Sequence, residues 1–433
     1  MNSGVKTLGP RSPVVEASRP RLFQLLGPGL IAGASDDDPS GIATYSQAGA
    51  QFGYGLTWTM LFTYPLMVAI QMISARIGCT TGRGIAGLLR RHAPPWLLQC
   101  VVPLLLVANV ANIGADLGAM ADSVRLLLGG SRWLWIVLFG ATCIGMQVFL
   151  QYARYVAVLK WLTLALFAYV GTLAAVHVPW GEAASSLVLP RLQWDREYLA
   201  TLVALFGTTI SPYLFFWQAS QEAEDLREDP RREPLVRAPD QGAAELGRIR
   251  LDTVVGMGLS NVIALAIIVT AAATLNASGI TDVQTSAQAA EALRPLAGRW
   301  AATVFALGVV GTGVLTVPVL AGSAAYAIGE ARRWPVGLGR QPAEAKAFYA
   351  TVSIATILGV VLNFTPINPM RALYWSAVIN GVVAVPVMAA MMFLVSRSRI
   401  MGAFVAGPAL RVLGWAATAV MAAAAAGVVA TVF

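Results

Sequence analysis

The chain has 433 residues, 57% of them hydrophobic and only 12% charged, about half the charged share of an ordinary soluble domain, so its polar residues are too few to coat a globule of this size and lipid must cover much of the surface. A mean hydropathy of +0.66, carried by long continuous apolar runs, selects spanning helices over the short alternating strands of a barrel, the only other structure that satisfies its backbone in hydrocarbon. The net charge of +8 comes from Arg residues dispersed among apolar runs, which argues against a nucleic-acid partner and for a topology signal.

The first 22 residues are polar and carry Lys6, Arg11, Arg19 and Arg21, with no cleavable signal peptide in view. Hydropathy windows of about 19 residues then predict about eleven spans, near 24–51, 54–77, 96–127, 133–150, 154–177, 197–226, 249–276, 299–330, 344–363, 369–395 and 407–432. The expected organisation is a tail over 1–23, a first transmembrane repeat of five helices over 24–177, a second over 197–395, and an additional helix over 407–432. With the spans laid alternately in and out, Arg83, Arg90 and Arg91, Arg154 and Lys160, Arg227 to Arg250, Arg332 to Lys346, and Arg397 and Arg399 collect on the side of the N-terminus. Positive charge is retained inside, so the expectation is a multi-pass monomer in a bacterial-type cytoplasmic (inner) membrane with its N-terminus cytoplasmic. The stretch 227–248, with Pro230, Pro234 and Pro239 among alternating charges, reads as a flexible cytoplasmic connector. His92 and His177 fall at span ends and read as solvated, and Cys79, Cys100 and Cys143 lack any paired spacing, so no zinc site, disulfide framework or cofactor is expected.

The first span is interrupted. Between Gly27 and Thr44 it holds Asp36, Asp37, Asp38, Pro39, Ser40 and Gly41 inside an otherwise apolar run. Pro39 removes a backbone donor and Gly41 adopts helix-ending conformations, so the helix breaks near Asp38-Pro39-Ser40. The freed carbonyls and amides are tolerable at membrane depth only facing protein, water or an ion. An unpaired carboxylate at the bilayer centre costs about 3 kcal/mol on insertion scales, which points to a purpose for Asp38; Asp36 and Asp37 either share it or sit solvated at the boundary.

The sixth span repeats the pattern, with Thr208, Thr209, Ser211, Pro212 and Tyr213 in the middle of an apolar helix. Its proline follows Pro39 by about 170 residues, at the corresponding position of the second five-span half. Paired interruptions of that kind mark an inverted-repeat transporter with its site between the breaks, although Pro212 taken alone is also what a simple kink would need. Beyond it, Glu222, Glu224 and Asp225 read as a solvated helix end. In the third span Asn109, Asn112 and Asp116 share one helical face, and Asp116 either lines a proton or water path or is paired with a basic or backbone group.

These residues resemble the NRAMP family of divalent-metal transporters. The likeness runs most closely from Gly27 to Arg91 through GPG, DPSG, AGAQFGYGLTW, ISARIG and TTGRGIAGLLRR, and continues through ADLG at Ala115 to Gly118, the Ser211-Pro212 pair and INPMRAL from Ile367 to Leu373. It implies an all-α polytopic LeuT-like fold, a 5+5 inverted repeat with helices 1 and 6 broken, no enzymatic activity, and a metal ligand set at the breaks. The site departs from the family's pattern. Where metal-transporting members read DPGN, this chain has Asp38-Pro39-Ser40-Gly41, keeping the aspartate and replacing the asparagine by Gly41. Where they read MPH it has Ser211-Pro212-Tyr213, a later histidine aligns with Gln218, and an acidic residue one turn after Asp116 aligns with Ala119. The family's carbonyl ligands match Ser35 and Thr208.

Without the methionine sulfur, any surviving site is all oxygen and suits a hard, partly hydrated ion such as magnesium, or manganese with weak discrimination. Loss of both histidines removes the usual proton-coupling groups near neutral pH, leaving Asp38, or Asp116 with Asn112 beside it, as candidates for coupling. Two competing readings remain: the same fold carrying a different small solute between the half-helix ends, Tyr213 and Gln218, and a membrane enzyme, for which the sequence offers no histidine cluster and no nucleophile with a base.

Overall fold

The computed structural model describes residues 28–150, 163–229 and 231–432. The tail expected over 1–23, the start of the first span, Arg154 and Lys160 with residues 154–162 of the fifth span, and Pro230 lie outside the described residues. Among the described residues the regular structure is all helical and contains no strand.

The first span is two half-helices, α1 (Pro28–Asp36) and α2 (Pro39–Phe52), joined by Asp37 and Asp38. There follow α3 (Trp58–Thr81), the short α4 (Ile85–His92), α5 (Pro95–Leu128), α6 (Arg132–Phe149), α7 (Phe167–Ala175) and α8 (Trp180–Val188). The second interrupted span is α9 (Arg196–Thr209) with α10 (Pro212–Glu228). Then come α11 (Gly242–Thr274), the short α12 (Ser286–Glu291) and α13 (Arg294–Ala297), α14 (Ala301–Arg332), α15 (Lys346–Leu362), α16 (Pro369–Val395), the one-turn α17 (Ser398–Met401) and α18 (Pro408–Val432). Eight described helices are long and apolar enough to cross a membrane, counting Arg196–Glu228 as one, and α15 is a shorter apolar helix. The chain is a multi-pass membrane protein.

Small residues set how closely the helices approach, the usual device where lipid supplies no hydrophobic drive between helices. A Cβ added at Gly33 of α1 would lie 2.2 Å from the Gly256 carbonyl of α11, one at Gly78 of α3 2.1 Å from the Ala219 carbonyl of α10, and one at Gly207 of α9 2.0 Å from the Ala377 carbonyl of α16. These backbone contacts hold both breaks against α11, α3 and α16. The remaining layers are α14 on α5 and α11 along α2.

Two expectations are corrected here. Of the three acidic residues expected at a solvated helix end, Glu222 and Glu224 are buried and Asp225 is half-buried. Glu222 is paired with Arg248, while Glu224 accepts from the Tyr326 hydroxyl and from the Gly339 amide at 2.7 Å. Nor is 227–248 a loose connector, because α11 begins within it and Arg232 makes two hydrogen bonds to Glu245, at 2.9 and 2.7 Å. The Leu235 and Val236 amides donate to the carbonyls of Cys79 and Thr80 at the end of α3, and the Leu235 side chain is buried beside Cys79 and Ile249. A charge-rich, proline-rich composition describes a solvated linker only when its charges lack partners.

Candidate functional site

Each break is built by local chemistry. Asp38, in extended backbone with φ −67° and ψ 170°, is the N-cap of α2, and Pro39 occupies the first helical turn, where its missing N–H costs nothing. One Asp38 oxygen accepts from the Gly41 amide and the Ser40 hydroxyl, both at 2.6 Å, and the other from the Asn112 side-chain amide of α5 at 2.8 Å. At the second break Ile210 ends α9, Ser211 takes the N-cap position of α10 and Pro212 restarts the helix. The Ser211 hydroxyl turns back to donate to the carbonyls of Gly207 and Thr208, at 2.7 and 2.8 Å.

The two breaks touch through Tyr213. Its hydroxyl donates to the Ser35 carbonyl at 2.8 Å, and the Thr316 hydroxyl of α14 donates to the same oxygen at 3.3 Å. A carbonyl has two lone pairs, so both are engaged. Position 41 is sealed as well: a Cβ there would lie 3.0 Å from Thr208 Oγ1, 3.1 Å from the Asp36 carbonyl and 3.2 Å from the Tyr45 ring. Gln218 stands five residues further along α10 than Tyr213, where it accepts from Gln71 and donates to Thr253 at 3.4 Å. The structure therefore brings Ser35, Ser40, Gly41, Thr208, Ser211 and Tyr213 together around Asp38 and commits Gln218 to a contact with α3 and α11.

The other carboxylates are differently placed. Asp36 and Asp37 are buried at the end of α1 and share one partner, the Ser260 hydroxyl of α11, at 2.7 Å from Asp36 Oδ2 and 3.3 Å from Asp37 Oδ1. Asp36 Oδ1 is buried without a hydrogen-bond partner. Asp116 is also fully buried, and neither oxygen has a donor in hydrogen-bonding geometry; its electrostatic neighbours are Asp38 and the Ser40 amide. Asn112 Oδ1, one turn away on the same face, is likewise unpaired. Among the described residues none of these four aspartates is ion-paired with Arg, Lys or His, and no three His, Cys, Asp or Glu side chains converge into a metal cluster. Ser260 and Thr316 went unnoticed in the sequence, since a single hydroxyl in an apolar helix more than 200 residues away carries no positional signal.

Residues 29–431 match the model of the natural resistance-associated macrophage protein-like (Nramp) family. The chain belongs to the NRAMP family. NRAMP relatives include the divalent metal cation transporter MntH of Acidiphilium cryptum, 28% identical over 87% of this chain and 83% of that one. A second, the protein of the same name from Klebsiella pneumoniae, is 27% identical over 94% of this chain and 93% of its own. The fold matches the crystal structure of the Eremococcus coleocola manganese transporter with a TM-score of 0.74 at 17% identity, covering 96% of this chain and 90% of that one. It also matches MhsT, solved in complex with L-phenylalanine, with a TM-score of 0.59 at 13% identity over 92% and 98% of the two chains. The LeuT-like architecture with both first helices of the repeats broken is thus that of the NRAMP family.

Proposed function

We propose that this NRAMP protein is a secondary transporter that moves a hard divalent cation, of the magnesium or manganese kind, by alternating access about the two breaks. The relatives named as divalent metal cation transporters and the fold shared with a manganese transporter support transport of a metal. The observation that carries the reading is the burial of Asp36, Asp37, Asp38 and Asp116 with no basic side chain paired to any of them among the described residues. Four carboxylates in a low-dielectric interior have to be compensated by cations or protons.

The side chains that meet at the breaks, Asp38, Ser40, Ser211 and Tyr213, offer oxygen, and with no group of three His, Cys, Asp or Glu side chains among the described residues the ion keeps part of its water shell, as magnesium does. Asp116, with Asn112 beside it, is the group placed to take up a coupling charge, because neither of its buried oxygens has a donor in hydrogen-bonding geometry. The orientation that fits the charge distribution puts the N-terminus and the Arg232–Arg248 end in the cytoplasm of a bacterial-type inner membrane, and the chain is proposed to act as a monomer. Neither a cofactor nor catalysis has a part in this scheme.

A second reading keeps the fold and replaces the metal by a small organic solute. It is favoured by one observation, that both lone pairs of the Ser35 carbonyl are already engaged. Calorimetric titration of the purified protein with magnesium and manganese chloride separates the two, together with uptake of either ion into proteoliposomes. Heat and uptake support the metal, and silence in both assays with both ions hands the site to the other solute.

A further inference from the structure

The groups that match the family's ligands are spent on one another. Asp38 caps α2 and binds Asn112, Ser35 offers no free lone pair, the Thr208 carbonyl receives Ser211, and a side chain at position 41 would crowd Thr208 and the Asp36 carbonyl. Unpaired oxygens remain on both sides of the break: those of Asp116 and Asn112 on α5, assigned above to coupling, and one of Asp36 toward α11. There Asp36 and Asp37 compete for the single hydrogen of the Ser260 hydroxyl, and Asp36 Oδ1, on a residue only 1% exposed, faces no donor at all.

We infer that the cation is held on the α11 side of the first break, by the carboxylates of Asp36 and Asp37 with the Ser260 hydroxyl, and not at the positions that carry the family's ligands. This rests on the metal-transport reading and names its ligand set. Three features converge on the place. Asp36 closes α1, so both carboxylates stand at the negative end of a half-helix, where cations are favoured. Ser260 follows Gly256 by one turn of α11, and the backbone contact of Gly256 with Gly33 fixes that turn against α1. Two carboxylates within reach of one hydroxyl repel each other until a cation lies between them or one of them takes up a proton. A hydroxyl that donates to carboxylates rotates to present a lone pair to the ion, so Ser260 serves both the empty and the loaded arrangement. Two carboxylates, one hydroxyl and several waters make the coordination of a magnesium-sized hard cation and give soft metals no preferred donor.

The test is calorimetric titration of the full chain in detergent with magnesium chloride, comparing Ser260→Ala, Asp37→Asn, Asp38→Asn and the native protein, each with its melting temperature. Asn is as good an N-cap as Asp, so Asp38→Asn keeps α2 capped and changes the metal affinity by less than about tenfold. Ser260→Ala weakens magnesium binding by about tenfold, the loss of one neutral ligand, and Asp37→Asn removes the heat while the protein still melts cooperatively. Loss of binding in Asp38→Asn with native affinity in Ser260→Ala returns the ion to the family's position and overturns the inference alone. A native protein silent toward manganese as well as magnesium overturns the metal reading with it.

Discussion

The Tyr213 hydroxyl donates to the Ser35 carbonyl over 2.8 Å, so a side chain from the first turn of α10 closes the last turn of α1. A family position that would carry a proton-linked histidine is here a neutral latch between the two broken helices. In the alternating access proposed above, opening around these breaks would part that bond.

Tyr213→Phe removes the donor and keeps the ring. The buried carbonyl retains only the longer Thr316 contact, and the lost hydrogen bond costs about 1 kcal/mol. The expected result is a melting temperature lowered by a few degrees, roughly as that energy implies for a helical membrane domain, with faster cation uptake because the latch is gone. Unchanged stability and unchanged uptake together would show that the latch carries no energy.

Restoring the family's asparagine fails to restore the family's site. Gly41→Asn drives a Cβ to 3.0 Å from Thr208 Oγ1 and 3.1 Å from the Asp36 carbonyl, an overpacking that costs about 1–3 kcal/mol. A thermal melt should show the loss, and manganese titration should show no gain in affinity. A tighter manganese complex would mean that the break has room the contacts deny.

Gly33→Ala tests how α1 is held. Its methyl would sit 2.2 Å from the Gly256 carbonyl, whereas nothing lies within 4 Å of a Cβ at Gly145. The first substitution should push α1 off α11, with a cost on the order of 1–3 kcal/mol and loss of uptake, and Gly145→Ala should leave both intact. Equal behaviour of the two would mean that α1 tolerates displacement.

Arg248→Gln leaves Glu222 buried without its closest partner, although Arg232 stands 3.9 Å away. Breaking a buried pair on one side costs several kcal/mol, and the nearby Arg232 puts this case near the lower end, about 3 kcal/mol. Adding Glu222→Gln should recover most of the loss, which a double-mutant cycle on thermal unfolding measures. Additive losses would place the pair outside the stability of the α10–α11 end.

Much of this protein is written in its sequence one stretch at a time. Hydropathy marks the spans because an apolar run of that length has one low-energy environment, and Asp38-Pro39 and Ser211-Pro212 mark the breaks because a polar N-cap residue followed by proline starts a helix anew, whereas Pro65, Pro103, Pro318 and Pro386, with no such residue before them, lie inside continuous helices. Partnership is a different matter. That the Ser260 hydroxyl serves both Asp36 and Asp37, that Tyr213 seals Ser35, and that Arg232 and Arg248 turn an apparent linker into a fixed lid over Glu222 all depend on atoms brought within 4 Å by glycine-mediated helix contacts. The sequence determined that Asp38 sits at a break; only the tertiary structure decided that its oxygens are already bound, because hydrogen-bond occupancy is a property of three-dimensional neighbours and leaves no periodic trace along the chain.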